Sequence, residues 1–135
     1  MNLTLEDGFA LGGKRLTRVT LRQVETAAEL IAIQEESEKI TVVTVGEKRE
    51  AYSVSPDWLV GLNTLRRQVA SISGEGGKKL DGPLTLEQLG QLSKKDLMLI
   101  QAQAGLMDEA FDREMEAVFA RLASAGRPEG GSAAG

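Results

Sequence analysis

The most strand-like segment of the chain is Ile40-Thr41-Val42-Val43-Thr44-Val45. It is almost wholly β-branched, and β-branched side chains favour the extended backbone. Gly46-Glu47-Lys48 follows as a turn, and residues 49–54 are suited to return as a second strand. This part of the sequence therefore predicts a β-hairpin.

The residues before this hairpin predict another hairpin and one helix. Two short β-prone runs between residues 3 and 23 flank the pair Gly12-Gly13. Thr26 and Glu29 then have the spacing of a capping box, which opens a helix that ends near Glu38. On that helix Ala27, Leu30, Ile31 and Gln34 share one side. Residues 3–54 are accordingly predicted to form a β-rich half that contains one helix.

The second half of the chain, residues 55–125, is predicted to be helical. Ser55-Pro56-Asp57 has the composition of a helix start. An apolar stripe at helical spacing follows, made of Trp58, Leu62, Leu65, Val69 and Ile72. Thr85 and Ser93 are the predicted caps of a short helix and of a long final one, with Gly105 as a point where the final helix could break. The prediction is a single α+β domain over residues 1–125 and a disordered tail over residues 126–135.

The composition excludes several classes of function. The chain of 135 residues has no cysteine and no histidine, so it lacks disulfides, thiolate metal sites and the commonest general base. A formal charge of −4 disfavours general nucleic-acid binding, which needs a basic face. No apolar run reaches the roughly 18 residues of a membrane span, and the acidic N-terminus does not fit a signal peptide.

Three motifs that could carry chemistry have simpler explanations. The loop Gly74-Glu75-Gly76-Gly77-Lys78 lacks the Ser or Thr and the preceding strand of a phosphate-binding loop, so it is predicted to be a linker. The acidic residues of the helices lack the spacing of a calcium or magnesium loop and are expected to be solvated. Arg66-Arg67 is a basic spot that could contact phosphate or an acidic partner. We predict no catalytic, cofactor-binding or metal-binding residue.

The final helix has the most informative pattern, because its apolar arc is wider than one packing contact needs. Its Met and Phe side chains suit a surface that accepts varied apolar partners, although filling the chain's own core explains them equally well. The candidate partner-binding residues are Leu97, Ile100, Met107, Phe111, Met115, Val118 and Phe119.

The order of these segments resembles the tail assembly chaperone family of Mu-like bacteriophages and prophages. The segments that carry the resemblance are "RLTRVTLRQVETAAELIAIQEESEK", "SPDWLVGLNTLRRQVASISG" and "GPLTLEQLGQLSKKDLMLIQ". The likeness covers about residues 3 to 105, and its motifs are structural rather than chemical.

The resemblance implies a non-catalytic protein without cofactors that acts in the cytoplasm of the host bacterium. Such chaperones bind the long, helical tape measure protein, keep it soluble and leave before the virion is complete. The major tail tube protein and a second copy of the chain are further candidate partners, whereas nucleic acid and membranes are not. Two alternatives stay open: a structural or tail completion component of the particle, and a small-molecule-binding protein or enzyme that uses carboxylates.

Overall fold

The computed structural model describes residues 1–126 of the chain and contains six strands and four α-helices in that part. The strands are β1 (Asn2–Leu11), β2 (Lys14–Leu21), β3 (Lys39–Val45), β4 (Lys48–Val54), β5 (Val69–Gly74) and β6 (Lys79–Asp81). The helices are α1 (Ala27–Ser37), α2 (Asp57–Gln68), α3 (Leu86–Gly90) and α4 (Lys94–Ala125). The predicted α+β class is confirmed, and both predicted hairpins are present.

The main sheet has four antiparallel strands in the order β1-β2-β5-β6. β5 and β6 lie within residues 55–125, so the prediction that this half is wholly helical was wrong. The helical stripe was extended too far, because α2 ends at Gln68 and Val69 begins a strand. An extra residue of β5, Ala70, lies where its pairing with β2 shifts register between Thr20 and Leu21. The bulge lets Val69 and Ile72 both be buried at a spacing that imitates a helix.

The predicted linker over residues 74–78 is the connection of the β5–β6 hairpin, so the expectation that no strand precedes it was wrong. It contains a short 3₁₀ turn at Glu75–Gly77. Gly76 and Gly77 have φ angles of 73° and 76°, a region that glycine adopts without the strain of a side chain. The glycines of this loop therefore serve the turn.

A buried carboxylate joins α4 to the main sheet. The pairing of β1 with β2 is irregular between Thr4 and Phe9. At this bulge the backbone N–H groups of Glu6, Asp7 and Gly8 all donate to the carboxylate of Asp96, at 2.7, 3.0 and 2.9 Å. Asp96 is completely buried. The first turn of α4 thus satisfies backbone donors that the ladder leaves unpaired.

The helix starts agree with the predicted caps except at α2. Thr26, Thr85 and Ser93 each accept a backbone N–H through the side-chain oxygen, from Glu29, Gln88 and Asp96. The Glu29 carboxylate binds Arg22 and Arg67, which differs from the predicted capping box. At α2 the capping residue is Pro56, which offers no side-chain hydrogen bond, so Ser55 does not cap this helix.

The apolar side of α1 is directed outwards. Leu30 and Ile31 are exposed, while Ile33 and Ser37 are buried. Ser37 is buried because its hydroxyl donates to the Ile33 carbonyl and accepts from the Asn63 side chain on α2. An amphipathic pattern would place polar residues such as Ser37 and Asn63 in solvent. Here their hydrogen bonds lie between α1 and α2 and help to orient the two helices.

The chain divides into two compact units, Met1–Ala104 and a second that begins at Gly105. α4 is continuous through Gly105, so the boundary lies inside this helix. We call residues 105–125 distal α4. The single domain over residues 1–125 stays a prediction. The predicted disordered tail lies outside the described residues, except for Gly126, which forms a turn after α4.

Candidate protein-binding surfaces

The first unit contains an apolar groove of about 560 Å³, which we call the Trp58 groove. Its lining comes from α2, α3, the first turn of α4 and the junction of α1 with β3. The lining residues are Glu36, Glu38, Lys39, Trp58, Leu59, Leu62, Leu86, Leu89, Gly90 and Leu97. The charged groups all come from residues 36–39, and the rest of the lining is apolar apart from Gly90. This arrangement suits an apolar side chain or helix of another protein rather than a polar substrate.

Trp58 is the most exposed large apolar side chain of this groove, at 60% relative accessibility. The Lys39 ammonium lies 4.9 Å from the centre of its ring, within cation–π range. Sequence analysis placed Trp58 on the same apolar stripe as Leu65. The structure buries Leu65, together with Leu59 and Asn63, and leaves Trp58 exposed. An exposed tryptophan beside leucines is the residue type that most often dominates protein–protein binding.

Fluorescence of Trp58, the only tryptophan in the chain, is predicted to report binding in this groove. The free protein should emit like a largely solvated indole and be readily quenched by acrylamide. Binding of a protein partner in the groove should shift the emission to shorter wavelength and protect it from quenching, because the indole loses water. Emission that stays unchanged while complex formation is proven by sedimentation would show that the partner does not occupy the groove.

Distal α4 carries the second apolar surface, which we call the distal face. Its members recur at spacings of three and four residues, the repeat of one side of a helix. They are Met107, Phe111, Met115, Val118 and Leu122. Phe111 and Leu122 are 47% and 62% exposed, and the other three are partly buried. Phe119, 61% exposed, widens the same side of the helix.

The seven candidate residues from sequence analysis fall into three groups. Five of them lie on distal α4 and are at least partly accessible: Met107, Phe111, Met115, Val118 and Phe119. Leu97 lines the Trp58 groove. Ile100 is completely buried in the first unit, so it belongs to the core and we remove it from the candidate contact residues.

Asp108 and Glu114 border the distal face, and distal α4 as a whole is acidic. Between residues 105 and 125 there are five acidic and two basic residues, a formal charge of −3. These are Asp108, Glu109, Asp112, Glu114 and Glu116, against Arg113 and Arg121. The surface therefore combines apolar anchors with a negative border, which favours partners that carry lysine or arginine beside their apolar residues.

The arginines that could have contacted phosphate are held in ion pairs. Arg67 donates to Glu36 at 3.0 and 2.8 Å and reaches Glu29 at 3.4 Å. Arg66 also pairs with Glu36, and Arg22 donates to Glu29 at 3.0 Å. These five side chains link α1 to α2 and to the residue after β2. The basic spot therefore has a structural explanation.

This network should make the free energy of unfolding decrease at acid pH. Hydrogen bonds from Arg22 and from Arg67 hold the pKa of Glu29 and of Glu36, respectively, below the ordinary value of 4.5. A carboxyl with a lowered folded-state pKa stabilises the protein above its unfolded-state pKa, and that contribution is lost as pH falls through the folded-state pKa. We expect urea denaturation between about pH 6 and pH 3 to show this loss. The double variant Glu29→Gln/Glu36→Gln should lose less stability over that range than Glu87→Gln, an exposed control.

Among residues 1–126, no three acidic, histidine or cysteine side chains come together as metal ligands. None of the helices in that part of the chain is long and apolar enough to cross a bilayer.

A family model described as "Tail assembly protein gp41" matches residues 5–121. The chain belongs to this family of Mu-like phage tail assembly proteins. It is similar to the Mu-like prophage FluMu protein gp41 of Haemophilus influenzae, with 32% identity over 110 residues, 82% of this chain and 80% of the relative. No solved structure matches the chain.

The family match agrees with the resemblance drawn from the sequence. The family model covers the whole lining of the Trp58 groove and all of the distal face except Leu122.

Proposed function

We propose that this tail assembly protein is a non-catalytic chaperone that binds the tape measure protein of its phage through the distal face. The observation that carries the proposal is the row of accessible Phe, Leu and Met side chains on distal α4. An amphipathic helix recognises another helix through anchors at this spacing and tolerates variation in the partner's sequence. Such tolerance is what a chaperone for a long helical protein needs.

The expected strength of the contact suits a temporary complex. About half of the surface of three side chains is exposed, those of Phe111, Phe119 and Leu122. Burying the exposed part of one of them against a partner contributes on the order of 1 kcal/mol to the free energy of binding. Ordering the two partners offsets part of this gain. One distal face thus holds one helical segment weakly, as suits a complex that must later dissociate.

The charges specify the kind of segment that should bind. The net charge of −3 on distal α4 favours apolar helices with basic flanks and disfavours acidic ones. The Trp58 groove offers a separate apolar contact for the same partner. In this proposal the chaperone acts in the host cytoplasm and is released before the particle is complete.

Co-expression with the tape measure protein encoded nearby tests the proposal. The tape measure protein should be largely insoluble alone, and soluble and co-purifying when this chain is present. A variant truncated before Gly105 serves as the comparison and should lose the effect, provided that circular dichroism shows the first unit folded. A tape measure protein that stays insoluble, or that the truncated variant rescues equally well, would contradict the proposed role of the distal face.

Mass spectrometry of purified particles separates the chaperone from a structural component. A chaperone should be absent from mature virions although abundant in lysates during assembly. Stoichiometric amounts in the virion would instead support a structural or tail completion component.

A further inference from the structure

The β3–β4 hairpin forms a sheet of only two strands within residues 1–126. All seven residues of each strand are exposed, with Ile40 at 77% and Val45 at 63%. A two-stranded sheet without a buried face is only marginally stable in water. The hairpin is therefore a structure whose stability depends on a further contact.

Its two edges differ in charge. β4 has Lys48, Arg49 and Glu50 in succession, and such charged residues discourage pairing with another strand. β3 is uncharged from Ile40 to Val45 and contains neither proline nor glycine. An edge of this kind favours the addition of a strand. Of the two edges, that of β3 is therefore the better suited to accept another strand.

The turn determines which backbone groups this edge offers. Gly46 and Glu47 form a two-residue loop, and Gly46 has a φ of 64°. In such a hairpin the residues next to the loop, Val45 and Lys48, form a hydrogen-bonded pair, and the pattern alternates along the strands. The N–H and C=O groups of Ile40, Val42 and Thr44 therefore point away from β4.

We propose that β3 pairs antiparallel with β3 of a second copy of this chain, about a two-fold axis at Val42. This register places Val42 opposite its own copy and Ile40 opposite Thr44. Lys39 then lies opposite Val45, so no like charges face each other across the strands. The product is a four-stranded sheet with β3 and its copy in the centre and the charged β4 strands at both edges. A second copy thus supplies hydrogen-bond partners for the backbone groups of β3 that point away from β4. The outer strands of the resulting sheet are the charged β4 strands, and the contact is isologous.

Single-cysteine variants test this register without background, because the chain has no cysteine of its own. In the dimer Val42→Cys would place two thiols across the axis with their Cα atoms about 5.5 Å apart, a distance that a disulfide spans. Ala51→Cys is the matched control, because Ala51 is opposite Val42 within the hairpin. In the dimer its Cα would lie about 14 Å from its copy, three strand spacings away.

The experiment uses the isolated full-length chain, so it does not depend on the tape measure protein or on the proposed function. Sedimentation should show a dimer, and mild oxidation should cross-link Val42→Cys at least tenfold faster than Ala51→Cys. Val42→Lys should weaken the dimer at least tenfold by bringing two lysines together, while Ala51→Lys leaves it intact. A monomeric chain, equal cross-linking at the two positions, or a Val42→Lys variant that is folded and still dimeric would each overturn the proposal.

Discussion

Replacement of Asp96 by alanine is expected to lower the free energy of unfolding by roughly 3–5 kcal/mol. The substitution removes a completely buried carboxylate that accepts three backbone N–H groups from the β1 bulge. Hydrogen bonds to charged groups are stronger than neutral ones, and each donor that is left unpaired inside the protein adds its own cost. Few other single side chains in the described part of the chain connect so many backbone groups.

Denaturation by urea at neutral pH measures this effect. Asp96→Asn keeps the size of the side chain but directs an NH₂ group at the bulge, so it should be destabilising as well. Glu109→Ala is the control, because it removes an exposed acid of the same helix and should change stability by less than about 0.5 kcal/mol. An Asp96→Ala variant as stable as this control would show that the carboxylate does not hold the bulge.

The largest effect on partner binding is expected from Phe111→Glu. Phe111 lies at the middle of the distal face, and a glutamate there would have to bury a charge against the apolar side of the partner helix. The lost apolar burial of about 1 kcal/mol and the cost of burying the new charge should together reach at least about 2 kcal/mol, so affinity for the tape measure protein should fall at least about 30-fold. Dilution of the soluble complex, followed by sedimentation, would measure the change in its dissociation constant.

The matched control for this substitution is Ala120→Glu. It adds the same side chain to the same helix, but 3.6 residues per turn place Ala120 on the side opposite Phe111. Affinity should therefore change little. Equal losses from both variants would indicate a general effect of negative charge rather than an apolar contact.

The sequence predicts the parts of this fold that depend on local chemistry. The β-branched run at residues 40–45 and the caps Thr26, Thr85 and Ser93 all appear where expected. β5 was not predicted, because Val69 and Ile72 are three residues apart, as on one side of a helix. The bulge at Ala70 is what places both on the same face of the strand. The role of Asp96 was also hidden, since its partners lie about 90 residues earlier in the chain.

The two candidate surfaces also differ in how far the sequence predicts them. The distal face is a property of one helix, so its periodicity was visible in the sequence. The Trp58 groove is assembled from several elements, and no single pattern predicts which side of each is turned towards it. The predicted stripe on α2 found Leu65, which is buried, but it missed Asn63, which is buried through hydrogen bonds with Ser37 and Arg66.

Cysteine protection along distal α4 tests the central claim most directly. Single cysteines would be introduced on the distal face at positions 107, 111, 115, 118 and 122, and on the other side at 109, 113, 116 and 120. Their rates of reaction with a maleimide would be measured with and without the tape measure protein. The proposed contact predicts that only the first set becomes protected, with a period of about 3.6 residues. Protection of both sets alike, or of neither while the complex persists, would contradict binding through the distal face.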